Sequence, residues 1–255
     1  MSGHQEQPRI HEAPRAFTER YECKYGLTEQ QAAQLKHYIA AHVALDPHAK
    51  KKGGSYRISS LYLDSPDLQL QRSAIEGQRD RYKLRVRVYA NDPERKAFLE
   101  VKHRRNSLIS KTRAQVPQSL VPALLARSTV PDLQGHRDQA ALDDFLHRIR
   151  ILNAQPVVLV RYNREAYAGI EDRTARVTFD RQIMSSASDE MSVRCEGPGW
   201  NTIPNHRTLL ELKFTGRCPV WMANAIDRLE LQRVSFSKYA QAVITEDRNG
   251  MQMMG

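Results

Sequence analysis

The stretch "YKLRVRVYA", residues 82–90, alternates without a break, with Lys83, Arg85 and Arg87 on one parity and Leu84, Val86 and Val88 on the other. A period of two marks a β-strand, whose successive side chains point to opposite faces. Taken alone, such a strand could bury its apolar parity and leave its cations in water. The constraint comes from repetition. In "TERYECKY" Arg20, Glu22 and Lys24 oppose Tyr21, Cys23 and Tyr25; in "AFLEVKHR" Glu100 and Lys102 oppose Ala97, Leu99 and Val101. In "TLLELKFT" Glu211 and Lys213 oppose Leu210, Leu212 and Phe214.

Alternation and chain breakers predict eight strands, over 18–25, 55–64, 81–89, 97–104, 109–116, 156–167, 174–184 and 208–215. Helical spacing predicts helices over 28–43, 67–76, 119–127, 136–152 and 219–231, with a last short one from 236. Thr28 and Gln31 stand as a capping box at the first. The helices carry apolar faces that need a partner, Leu35, Tyr38, Ile39 and Val43 in one and Leu142, Phe145, Leu146 and Ile149 in another. If they cover the apolar outer surface of a closed sheet, the charged parity is left inside. The expected fold is therefore α+β: a closed eight-stranded antiparallel β-barrel with helices packed outside. So many enclosed cations require an anion and water to compensate them.

The 255-residue chain holds 39 Lys and Arg against 29 Asp and Glu, a formal charge of +10. That excess calls for an anionic partner: nucleic acid, a phosphorylated metabolite or an acidic membrane surface. No exposed aromatic stacking series accompanies the cations, which argues against specific nucleic-acid binding. No stretch approaches 18 apolar residues and the start has no signal-peptide core, so no membrane span is expected. Cys23, Cys195 and Cys218 lie far apart without CxxC spacing, and the nine His show no ligand spacing. A disulfide framework is not indicated, and a cytoplasmic location is expected. Polar tails over 1–16 and 246–255 are expected to flank one domain over 17–245. The stretch 185–207 reads as a mobile loop, and "KKGG" at 51–54 as a solvated turn without the GKS or GKT of a P-loop.

Eight motifs in order, "YECKYGL", "SLYLDSPD", "KLRVRVY", "FLEVKHR", "RYNREAY", "RVTFDRQI", "LLELKF" and "FSKY", resemble the VTC (vacuolar transporter chaperone) domain. This is the polyphosphate polymerase branch of the CYTH-like triphosphate tunnel metalloenzymes. The resemblance implies a tunnel in which basic side chains grip ATP and a triphosphate or polyphosphate chain while a carboxylate holds Mn²⁺ or Mg²⁺. It implies Arg85, Arg87, Arg164, Arg176 and Lys238 as the catalytic set and Lys24, Lys102, Lys111, Tyr162 and Ser237 as further phosphate contacts. Glu211 matches the metal ligand. Lys213 either pairs with Glu211 or touches phosphate, and Glu22 and Glu100 are either metal ligands or salt-bridge partners. Two positions depart from pattern: Arg20 stands where the CYTH hydrolases carry the first Glu of an ExExK motif, and Ser235 stands where a Lys is expected. The chain resembles a stand-alone bacterial member without the regulatory SPX domain.

Phosphoryl transfer needs charge neutralisation and in-line alignment more than covalent help from the protein. The sequence thus points to an ATP:polyphosphate phosphotransferase. The alternatives are a tunnel triphosphatase and a non-catalytic module that binds polyphosphate or inositol phosphates.

Overall fold

The computed structural model describes residues 20–90, 92, 94–106, 108–126, 136–204 and 208–248. Ten strands lie along them: β1 (Arg20–Leu27), β2 (Val43–Leu45), β3 (Tyr56–Asp64), β4 (Asp80–Tyr89), β5 (Lys96–Arg105), β6 (Leu108–Pro117), β7 (Gln155–Gly169), β8 (Arg176–Ala187), β9 (Asn201–Thr202) and β10 (Thr208–Thr215). The α-helices are α1 (Glu29–Ile39), α2 (Pro47–Lys51), α3 (Gln69–Ile75), α4 (Val121–Leu125), α5 (His136–Leu152), α6 (Val220–Arg228) and α7 (Lys238–Arg248). Each of the eight alternating segments forms a long strand. β2 and β9, three and two residues long, are too short to show a period.

The long strands pair antiparallel in the order β1-β10-β8-β7-β3-β4-β5-β6, with β2 added to β7 and β9 to β8. The expected barrel is not closed. β1 and β6 end the order and share no ladder among the described residues. The outer edge of β1 is instead engaged by an irregular segment: Tyr25 bridges to Arg233, and the Val234 N–H donates to the Lys24 carbonyl at 2.8 Å. Those backbone groups of β1 are then unavailable to another strand. The outcome is one curled ten-stranded sheet.

Its outer surface is the apolar parity. Leu84, Val86 and Val88 of β4 lie in one buried cluster with Leu142, Phe145 and Ile149 of α5, while Tyr25, Leu210 and Leu212 join Leu35 and Ile39 of α1 in a second. The thermodynamic drive is ordinary burial of aliphatic surface, about 25 cal/mol per Å²; its location outside the sheet is what forces the charged parity inward. Thr28 caps α1 in the expected capping box, its hydroxyl accepting from the Gln31 N–H. The helix ends at Ile39, short of the expected 43, because Val43 enters β2.

One helix departs from the arrangement expected. Register places Val160, Ser60 and Arg87 side by side on the concave face, with Ser185 opposite Val160. Ser185 donates to Glu246 of α7 at 2.5 Å, so α7 packs inside the curl and not outside it. Glu246 is fully buried, accepting also from the Ala187 N–H and from Asn201. α7 runs through Arg248, into the stretch expected as a tail from 246; the tail expected over 1–16 and residues 249–255 lie outside the described residues. Parts of the stretch expected as a mobile loop are packed: β8 extends to Ala187, Val193 and Ile203 are buried, and Ser59 donates to the Arg194 carbonyl, while residues 205–207 lie outside the described residues. "KKGG" ends α2 at Lys51 and turns over 52–54, with Gly53 and Gly54 at positive φ of 73° and 103°.

Candidate active site

The concave face encloses a cavity of about 420 Å³ lined by nine Lys and Arg side chains and two carboxylates. The cations are Lys24, Lys83, Arg85, Arg87, Lys102, Lys111, Arg164, Lys213 and Lys238; the acids are Glu22 and Glu211. Every one of them except Lys238, which α7 supplies, sits on a strand at an inward position. A second cavity of about 380 Å³ adjoins it, sharing Glu22, Lys24, Lys83 and Lys102 and reaching Arg81, Arg233, Ser235 and Ser237.

Three acidic foci hold the cations apart. Glu100, fully buried, accepts from Arg85 at 2.6 and 2.8 Å and from Lys111 at 3.1 Å, with Arg113 at 3.6 Å and Arg87 at 3.8 Å. Asp180 receives both ends of the Arg164 guanidinium, at 2.7 and 2.6 Å, and Lys238 at 2.7 Å. Beside it Glu211 takes Lys238 at 2.9 Å, Lys213 at 3.0 Å and Arg164 at 3.4 Å. Glu22 faces Lys102 at 2.9 Å, Lys24 at 3.6 Å and Lys213 at 3.7 Å. Tyrosine hydroxyls complete the wall, Tyr62 accepting from Arg85 at 3.2 Å and Tyr162 from Arg87 at 3.3 Å.

Burial raises the proton affinity of these carboxylates, but the surrounding cations outweigh it. Glu211 and Glu22 are thereby held well below the usual range, each chiefly by Lys213, and Glu100 by Arg85 and Arg87. All three are anions. Lys102 is pushed down to about 8 by burial, against the pull of Glu22. Lys83 is driven well below the ordinary lysine range by burial and then by Lys24, Lys102 and Arg85. Lys238 moves the other way, since Asp180 and Glu211 overcome its burial.

Thus Lys24, Arg85, Arg87, Lys102, Lys111, Tyr162, Arg164, Glu211, Lys213, Glu22 and Lys238 all line one cavity, and Ser237 lines its neighbour. Arg176 stands apart. Register puts it beside Lys213 and Ala168, yet its guanidinium donates to the carbonyls of Arg173 and Ala175, and it is absent from the lining. Glu100 does not line the cavity; it contacts Arg85, Arg87, Lys111 and Arg113, the arrangement of the salt-bridge alternative expected for it. Two groups were not singled out from sequence. Lys83 shares the parity of Arg85 and Arg87, a signal that could have found it. Asp180 in "RVTFDRQ" shares the parity of Arg176, so the same signal could have found it; the bulge at Gln182, φ 49°, is what brings Ser185, of opposite parity, to the same inner face.

A family model, the VTC domain, matches residues 19–245. The chain belongs to the VTC domain family. A search of curated proteins finds no match. Among solved structures, a Bacillus halodurans protein provisionally named an adenylate cyclase is similar over 86% of this chain and 94% of its own, at 14% identity and a TM-score of 0.49. A protein from Pyrococcus horikoshii OT3 is similar over 91% of this chain and 99% of its own, at 11% identity and a TM-score of 0.44.

Whether this VTC domain can hold a divalent cation turns on its donor set. Among the described residues no group of three or more His, Cys, Asp or Glu comes together as a cage. Glu211 and Glu22 do project into the cavity from neighbouring strands and share Lys24 and Lys213 as partners. One or two carboxylates completed by substrate phosphate oxygens and water is the usual arrangement for Mg²⁺, and the residues fit an ion of that kind. No helix is long and apolar enough to cross a membrane among the described residues.

Proposed function

We propose that this VTC domain is a metal-dependent polyphosphate polymerase, transferring the γ-phosphate of ATP to the end of a polyphosphate chain. The observation that carries the reading is the lining of nine Lys and Arg side chains against two carboxylates in one cavity on the concave face. Such an excess is costly in an empty site and is relieved by a polyanion. Arg85, Arg87 and Arg164 present forked donors suited to phosphate oxygens, and Lys24, Lys102, Lys213 and Lys238 act as point charges. Their ion pairs with Glu100, Asp180 and Glu211 fix them before substrate arrives, so little reorganisation accompanies charge build-up on the transferring group.

Glu211, with Glu22 beside it, would hold Mn²⁺ or Mg²⁺, which supplies further neutralisation of phosphate charge when bound. The acceptor in elongation is a terminal phosphate, already an anion, so the lumen need not deprotonate it. Hydrolysis would instead require water to be activated beside the transferring group, and the cavity lining gives its carboxylates to lysines. The reading is tested by incubating purified protein with ATP and Mn²⁺ or Mg²⁺ and separating polymer from free phosphate. Polymer is the expected product; release of orthophosphate alone identifies a triphosphatase, and binding without turnover identifies a polyphosphate-binding module.

A further inference from the structure

Elongation gives Lys83, a group of the lumen, no task. Lys83 sits where the two cavities meet, and its Nζ lies 2.7 Å from the Ser237 hydroxyl. Ser237 is also the cap of α7: its Oγ accepts from the Ala240 N–H at 3.2 Å and its carbonyl from the Gln241 N–H at 2.9 Å. The hydroxyl is half-buried and opens on the cavity that holds Lys24 and Lys102. A primary alcohol, an amine in hydrogen-bond contact and a bank of phosphate-binding cations are the parts of a nucleophile and its base.

We propose that Ser237 accepts the first phosphoryl group from the nucleotide donor and that the resulting phosphoserine primes the polyphosphate chain. The inference rests on the phosphoryl-transfer reading above. A chain end needs no base, but an alcohol does, because its proton must leave as the new bond forms. In this step the Oγ–Pγ bond forms and the bond from Pγ to the bridging β,γ oxygen breaks. The hydroxyl proton passes to the Lys83 Nζ, and ADP departs. Burial and the neighbouring cations favour the neutral amine at Lys83, the form able to take that proton. Once protonated, Lys83 lies beside a phosphate dianion, and the phosphate also sits on the open N–H groups of the α7 N-terminus, so the product is held by charges already in place. Further transfer to the phosphoserine then builds a chain on a protein-bound primer.

The test uses the full chain with ATP and Mg²⁺ and no added polyphosphate, followed by denaturation, proteolysis and mass measurement of the peptide carrying Ser237. That peptide is expected to gain one phosphoryl mass and multiples of it. Lys83→Met should slow the labelling by on the order of 100-fold, the worth of a positioned base. Ser237→Ala should lose the label and form polymer from ATP only after a lag, which added short polyphosphate shortens although elongation stays slower than in the unaltered protein because a phosphate contact is lost; Ser237→Thr, which keeps a hydroxyl, should restore labelling. An unlabelled Ser237 peptide overturns the proposal, as does label on Ser235 in its place or lag-free polymerisation by Ser237→Ala. Labelled Ser237 in a protein that never lengthens added polyphosphate sinks the polymerase reading while leaving the acceptor serine intact.

Discussion

At the scale of single residues, two groups report what the cations cost. Glu100 is fully buried and neutralises Arg85, Arg87, Lys111 and Arg113 from one point. Glu100→Gln leaves these cations facing one another without an anion, and loss of about 3–5 kcal/mol of unfolding free energy is expected, read by urea melts. Added tripolyphosphate should recover part of it, because the ligand supplies the missing charge. Lys102 carries the pH dependence. Its folded value of about 8 lies below the ordinary lysine range, so between the two the unfolded chain binds more protons and stability rises with pH. Phosphate binding runs the opposite way, since the ligand wants the cation. Affinity for tripolyphosphate is expected to fall as pH rises through about 8, by up to roughly tenfold per unit. Titration calorimetry should show proton uptake on binding at that pH, and Lys102→Met should remove most of the uptake.

At the scale of elements, α7 is the one helix that feeds the site from inside, and its anchors decide where Ser237 and Lys238 stand. Tyr239 is buried, stacks on Tyr62 at 4.9 Å and donates to Asp64 at 2.5 Å. Asp64 in turn accepts the backbone N–H groups of Ser65, Leu70 and Gln71, which ties α3 to the same point. Tyr239→Phe keeps the stacking and removes one hydrogen bond to a carboxylate. A loss of about 1.5–3 kcal/mol is expected, with weaker tripolyphosphate binding because Lys238 is held less firmly. Unchanged melting and unchanged affinity in this variant would show that α7 is positioned by Glu246 and its partners alone.

At the scale of the whole molecule, the inverted sheet sets function against stability. The cavity's cations repel one another in the empty protein, and only part of that repulsion is cancelled by buried acids. A polyanion is therefore expected to stabilise the fold, by about 2.7 kcal/mol at a hundred times its dissociation constant. The rise in Tm should shrink as salt increases, since ions screen the rim of the cavity and compete for it. A Tm that ignores tripolyphosphate at low salt would contradict the assignment of this cavity as the anion site.

The sequence by itself determined the eight long strands and their charged parity, because period and side-chain alternation are local consequences of backbone geometry; the inward direction of that parity followed only with helices covering the apolar face. It also indicated most of the cavity's cations: once Arg85 faces inward, Arg87 and Lys83 must follow. Three matters were decided only by tertiary structure. Closure was one, since whether β1 meets β6 depends on the 233–234 segment, distant in sequence, taking the edge first. Which carboxylates line the cavity was another: Glu100 and Glu211 carry the same alternation and each meets four cations, yet only Glu211 of the two lines the cavity. Arg176 was the third, its parity correct but its guanidinium drawn to nearby carbonyls. Parity assigns a side chain to a face, whereas a long charged side chain goes to the partner that compensates its desolvation best, and that partner is brought near by folding.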